Sequence, residues 1–165
     1  MKRMECSGKL RNMASIYLVR GEEILLLNRS TGVAGGTWIA AAGGHFEPVE
    51  LCDARACALR ELEEELGLTA DDLKDLSLRY VTLRRTKDEL RQNYYFFAEL
   101  TGKEPQRSTE GTLRWFSLTE LRALEMPVTA KFMLEHYLAI GRESGKVYGG
   151  IADGKAVLFT ELPAF

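Results

Sequence analysis

Residues 60–68, Arg-Glu-Leu-Glu-Glu-Glu-Leu-Gly-Leu, constrain this chain more than any other stretch. The apolar positions around them recur with a helical period. At about 100° per residue, Glu61, Glu64 and Glu65 share one face. Glu63 points nearly the other way, and Leu59, Leu62 and Leu66 form a separate stripe for a core. Asp53 reads as the N-cap and Gly67 as the C-cap, so a helix is expected over 53–66. Like charges at i and i+4 cost roughly a few tenths of a kcal/mol even in solvent. Partial burial would force one carboxyl to take a proton. A hard divalent cation removes the conflict, because Mg²⁺ takes oxygen ligands and binds through carboxylates together with substrate phosphates. A solvated acidic face is the competing reading of such a run. The flanks favour the metal: Gly43-Gly44 upstream lets backbone approach a ligand closely, Arg60 immediately precedes the glutamates, and Gly67 follows them.

The rest of the chain alternates between strand and helix periods. Apolar runs at 14–19 and 24–28 form an expected hairpin across Gly21-Glu22. A short strand at 37–41 follows the Gly-rich residues 31–36, and Gly43-Gly44 is expected to break the chain. Two β-rich runs, 76–86 and 90–100, flank the turn Lys87-Asp88-Glu89. A polar loop over 101–111 leads to a strand at 113–116. Ser117-Leu118-Thr119-Glu120 has capping-box spacing and opens a short helix that Met126-Pro127 ends. A second helix is expected over 129–142. Segments 147–151 and 156–160, around Ala152-Asp153-Gly154, read as a final hairpin. The pattern implies one domain over 1–165 of mixed α/β or α+β class, with a β-sheet sandwiched between helices. Its core spans about 14–140 and the hairpin extension about 146–161.

Composition excludes several partners. With 22 basic and 24 acidic residues among 165, the chain lacks the global positive charge of a polyanion binder, so no stable nucleic-acid binding is expected. No run approaches the ~20 apolar residues of a membrane span, and no secretory signal is visible. Cys6, Cys52 and Cys57 are odd in number and lack metal-site spacing, which points to a reducing cytoplasm.

Segment 44–68 resembles the Nudix box, whose pattern is Gly-x5-Glu-x7-Arg-Glu-U-x-Glu-Glu-x-Gly-U, with U a bulky aliphatic. Gly44, Glu50, Arg60, Glu61, Leu62, Glu64, Glu65, Gly67 and Leu68 fill the named positions. There is one departure: nine residues, not seven, separate Glu50 from Arg60. A two-residue insertion at the loop-to-helix junction absorbs it. Trp38, Glu47 and the late stretch Trp115-Phe116 resemble the family too, and the tail resembles that of MutT-like bacterial members. The resemblance covers roughly 14–140.

It implies the Nudix fold with an additional C-terminal hairpin, and hydrolysis of a nucleoside diphosphate linked to another group. It also implies Mg²⁺ or Mn²⁺ held by Glu61, Glu64, Glu65 and the Gly43 carbonyl, with Gly44, Glu47, Glu50, Arg60 and Gly67 supporting the motif. Glu64 and Glu65 are therefore expected in catalysis. Glu110, five residues before Trp115, is the best match for a general base, with Glu104 in reserve. Arg29, Arg84 and Arg85 are candidates for substrate phosphates, and Phe46, Tyr80 or Tyr95 for stacking on a base. His45 is expected to contact substrate rather than act as a base. His136 is expected to be packed, and Cys57 to be small packing rather than a nucleophile. The expected substrate is a small nucleotide, first an (8-oxo-)dNTP. The alternatives are an ADP-ribose or NADH type dinucleotide and a non-catalytic nucleotide-sensing module. The tail hairpin could pair with a second chain or cover its own core, so both monomer and homodimer stay open.

Overall fold

Backbone pairing begins with β1 (Lys9–Arg20), β2 (Glu23–Arg29), β3 (Trp38–Ala40) and β4 (Ala42–His45). A 3₁₀ turn, Pro48–Glu50, leads to helix α1 (Ala54–Leu66). Long strands β5 (Leu73–Thr86) and β6 (Glu89–Leu100) follow, then β7 (Gly111–Ser117). Helix α2 (Val128–His136) continues through a π-helical turn, Tyr137–Gly141, and a last turn, Arg142–Ser144. The hairpin β8 (Tyr148–Ala152) and β9 (Val157–Glu161) closes the chain. This computed structural model describes residues 8–29 and 36–163. Most of the Gly-rich stretch 31–36, and Cys6, lie outside the described residues.

Among the described residues nine strands join one sheet in the order β3-β2-β1-β6-β5-β8-β9, with β4 on β1 and β7 on β2. Side chains alternate between the two faces of a strand, and this sheet is buried on both. On one face Ala14, Ile16, Leu18, Phe96 and Ala98 pack against Cys57, Ala58, Leu62 and Leu66 of α1. On the other, Tyr17, Tyr80, Tyr95 and Phe97 pack against Met133 and Leu134 of α2 and against Tyr137. Helices therefore sandwich the sheet, as the sequence pattern implies. The α1 stripe is rotated from the expected one: Cys57 and Ala58 are fully buried and Leu59 only half-buried, because small residues let the helix lie close to the sheet.

Several elements differ from expectation. β1 starts at Lys9, five residues before the apolar run, because its parallel ladder with β6 extends to the Lys9–Glu89 pair. Gly43 and Gly44 lie inside β4 instead of breaking the chain. The short element after the capping box is a 3₁₀ helix, Leu118–Ala123, that ends before Met126-Pro127. The capping box itself forms, with the Glu120 carboxylate accepting from the Ser117 N–H at 2.8 Å.

The C-terminal hairpin covers its own core. β8 runs parallel to β5. Tyr148 stacks on Tyr80 with ring centroids 5.6 Å apart, and Phe159 lies 4.6 Å from His136. The buried Arg79 guanidinium ties the helix end to this hairpin, donating to the carbonyls of Gly141 and, at 3.1 Å, Lys146. No helix of the described residues is long and apolar enough to cross a membrane.

Phe97 is 3% exposed and stacks on Tyr17 at 5.1 Å and Tyr137 at 3.9 Å. Phe97→Ala should lower the unfolding free energy by about 3–5 kcal/mol in urea denaturation.

Candidate active site

β1 changes partner along its length. Residues 18–20 pair with β2, and residues 13–16 with β4. This brings β4 under α1. A Cβ on Gly44 would overlap the Glu61 carboxylate, and one on Gly43 would overlap the Ala14 carbonyl and the Ser15 backbone. Gly43 thus has no room for a side chain beside β1, and at Gly44 the Glu61 carboxylate fills the space a side chain would take. The Glu65 carboxylate accepts from the Gly43 N–H at 3.1 Å.

Arg60 gathers the acids. Its Nε and Nη2 donate to Glu50 at 2.6 and 3.1 Å, and its Nη1 donates to Glu61 at 2.7 Å and Glu64 at 3.1 Å. Nη2 also donates to the His45 carbonyl at 3.0 Å. One planar fork thus spans α1, the loop and β4, which a lysine point charge could not do. Glu50 is almost fully buried, and the Arg60 hydrogen bonds hold its carboxyl down at about 2. The extra length between Glu50 and Arg60 is taken up before the helix. Leu51 and Cys52 turn outward, with Cys52 at φ 71°, and Asp53 caps α1 by accepting from the Ala56 N–H at 3.0 Å. The insertion therefore leaves the Glu50–Arg60 contact intact. Glu47 donates its N–H to Glu50 at 2.8 Å, and Gly67 takes the left-handed C-cap conformation at φ 64°.

Glu65 faces a different environment. Burial, opposed by the Gly43 N–H and reinforced by the carboxylates of Glu110 and Glu61, pushes its carboxyl up to about 7. Glu110 arrives there because Arg29 pairs with Gly111 across β2 and β7. The Arg29 guanidinium donates to the Glu110 carboxylate at 3.1 and 2.6 Å. The structure therefore brings together Glu61, Glu65, Glu110, Arg29, Gly43 and Gly44, with Glu64 exposed at the rim on Arg60.

Among the described residues, no three acidic, His or Cys groups are gathered tightly enough to close around an ion as they stand. In chemistry the set nevertheless fits a hard divalent cation. All its side-chain donors are carboxylate oxygens, Arg60 now supplies the positive charge for Glu61 and Glu64, and among the described residues no cation is hydrogen-bonded to Glu65. Cys57 is no soft competitor: burial pushes its thiol up to about 12, and it stays a packed, protonated side chain.

Other candidates lie elsewhere. Phe46 packs on Tyr94 with ring centroids 5.5 Å apart, at the edge of the α1-side cluster. Tyr80 and Tyr95 are buried in the α2-side core, where no base could stack on them. Tyr80 hydrogen-bonds His136 at 2.9 Å. Glu104 pairs with Arg20 at 2.7 Å, five residues along β1 from Ser15, the partner of Gly43. It is therefore no reserve base. Arg85 is exposed and turns to the Lys87 carbonyl. Arg84 shares the sheet face of Tyr80, opposite α1, away from the carboxylates. His45 accepts from Arg11 at 2.5 Å through its ring Nε2. Arg11 and Arg91 were not singled out from the sequence. Their position depends on the parallel β1–β6 pairing, which no local pattern announces.

A family model described as the NUDIX domain matches residues 9–136. A search of curated proteins gave no match. Among solved structures, the chain is similar to the mutator MutT protein from Bacillus halodurans, at 22% identity and a TM-score of 0.69, over 94% of this chain and 99% of that one. It is also similar to a MutT NUDIX hydrolase from Burkholderia pseudomallei, at 27% identity and 0.62, over 77% and 97%. An Ap4A hydrolase from C. elegans shares the fold at 23% identity and 0.63, over 78% and 96%.

Two outcomes follow from the charges. The folded Glu65 holds its proton up to about 7 against an ordinary 4.5. The folded state thus binds more protons in that window, and its metal-free stability should fall as pH rises from about 4.5 to about 7. In Glu65→Gln, the pH dependence of the melting temperature over that window should flatten. Glu50→Gln should cost about 3 kcal/mol in chemical denaturation, since it weakens the bonds of a buried carboxylate to Arg60.

Proposed function

Because the chain belongs to the NUDIX family, we propose that it hydrolyses the diphosphate linkage of a nucleoside diphosphate derivative, with Mg²⁺ or Mn²⁺ held by Glu61, Glu64, Glu65 and the Gly43 carbonyl. The observation that carries this reading is the meeting of Glu61, Glu65 and Glu110 beside the bare backbone of Gly43 and Gly44. When bound, the cation neutralises diphosphate charge and lowers the pKa of water. The chain's own groups do the rest. Glu110 takes the proton as water attacks phosphorus, and the bond between that phosphorus and the bridging oxygen breaks, leaving the electron pair on the departing phosphate. Arg29 meets a substrate phosphate. In doing so it exchanges its 2.6 Å contact with Glu110 for the ligand. Arg60 does not touch substrate; it keeps Glu50, Glu61 and Glu64 in register.

The names of the neighbours, MutT and Ap4A hydrolase, support a nucleotide substrate. A MutT-like action on dNTPs, oxidised ones included, is the first choice. The test is release of phosphate or pyrophosphate from dNTPs, 8-oxo-dGTP, ADP-ribose and NADH with Mg²⁺ or Mn²⁺, then with chelator. Chelation should abolish turnover. Glu65→Gln and Glu110→Gln should each lower kcat by about 10²–10⁴. Turnover indifferent to chelator, or to both substitutions, would overturn the mechanism, and a panel without any turnover would favour a sensing module.

A further inference from the structure

The sheet face opposite α1 carries a charged cluster that the diphosphate chemistry does not use. Arg11 of β1 pairs with Arg91 of β6, and Arg91 pairs with Arg84 of β5. Directly opposed residues project to the same side, so the three guanidinium groups stand in one row. Even spacing along the strands puts that row on the face of Tyr17, Tyr95 and Tyr80, the α2 side. Like charges in such a row are destabilising unless something offsets them. Glu89 accepts from Arg11 at 3.4 Å and from Arg91 at 3.3 Å. Among the described residues no carboxylate lies within ion-pair reach of Arg84. The row is half-buried, with Arg11 and Arg91 side chains 36% and 34% exposed, so solvent screens it only in part.

The adjoining row adds an unmet acceptor. Met13, Asn93 and Thr82 are cross-strand partners there. The Asn93 Oδ1 is buried without a hydrogen-bond partner, while its Nδ2 donates to the Tyr95 hydroxyl at 3.1 Å. An unpaired buried carbonyl is costly, and a ligand N–H or O–H would satisfy it. His45, paired with Met13, links this face to the carboxylates. Its ring accepts from Arg11 at 2.5 Å, and its carbonyl accepts from Arg60 at 3.0 Å. The arginine row and the carboxylate cluster thus meet across a single residue of β4.

Building on the proposed hydrolase activity, we propose that Arg11, Arg91 and Arg84 bind a second phosphate of the substrate, separate from the scissile diphosphate, while Asn93 accepts a hydrogen bond from the same molecule. Three positive charges against one carboxylate leave a local excess that a phosphate, at about −1.5 to −2, matches. Planar guanidinium forks suit its oxygens. The preferred substrate is then a nucleotide with a phosphate beyond the cleaved pair, either on a sugar hydroxyl or further along a polyphosphate chain.

Two matched pairs separate these sources. NADPH and NADH differ by one sugar phosphate, and diadenosine tetraphosphate and diphosphate differ in chain length. With Mg²⁺, the phosphate-rich member of one pair should show a kcat/KM at least about tenfold above its partner, the scale of a charge-assisted contact. Arg84→Gln should remove most of that preference and Arg84→Lys should restore part of it. A preference in the first pair identifies a sugar phosphate, and one in the second a chain phosphate. Equal kcat/KM within both pairs, or an Arg84→Gln loss that is the same for both members, overturns the inference while leaving the hydrolase reading standing. If none of the four compounds is cleaved, that reading fails for them, and calorimetric affinities of the same compounds decide the inference. Tighter binding of a phosphate-rich member that Arg84→Gln abolishes supports it, and equal affinities overturn it.

Discussion

Arg60 holds together charges that would otherwise separate. Glu50, Glu61 and Glu64 all direct carboxylate oxygens at its guanidinium, and the His45 carbonyl closes the set. These groups come from three local elements: Glu50 from the 3₁₀ turn, Glu61 and Glu64 from the helix, and His45 from β4. The fork is largely shielded from solvent, so its interactions are stronger than those of an exposed pair. Through it, the orientation of α1 on β4 and the course of the loop between them become one problem with one solution.

The second constraint is the space that Gly43 and Gly44 leave empty. Gly44 leaves the room into which the Glu61 carboxylate of α1 reaches, and Gly43 lets β4 lie close against the backbone of β1. Packing by Cys57 and Ala58 draws the helix close for the same reason: small side chains shorten the distance between layers. Glu65 then becomes a half-buried carboxyl facing other acids, with its proton affinity raised accordingly. The opposing pull of Arg29 on Glu110 keeps this acidic pocket balanced. A cation and a phosphate would together replace interactions the protein now makes with itself.

Helix α1 was legible because its signals are local: the period of its apolar residues, Asp53 and Gly67 at its ends, and the spacing of Arg60 and the glutamates. The capping box at Ser117 was legible for the same reason. The polar start of β1 was not, since Lys9 and Arg11 become strand only by pairing with β6, about 80 residues away. Gly43-Gly44 suggested a break, because glycine usually marks one. Here it marks a close approach, and only the position of α1 distinguishes the two. Arg84 was legible as a candidate for a substrate phosphate, but its face was not. A β-strand offers two faces, and the register with Arg91 selects one.

From its residues alone, the chain determined which groups share a helix face and where that helix is capped, because both rest on covalent spacing and the helical period. Tertiary structure decided the rest: that Glu110 comes beside Glu65, that Arg29 holds it, that Tyr80 and Tyr95 are core, and that three arginines from separate strands form a row. Those relations depend on strand pairing and layer packing between residues distant in sequence, and no local pattern encodes their register.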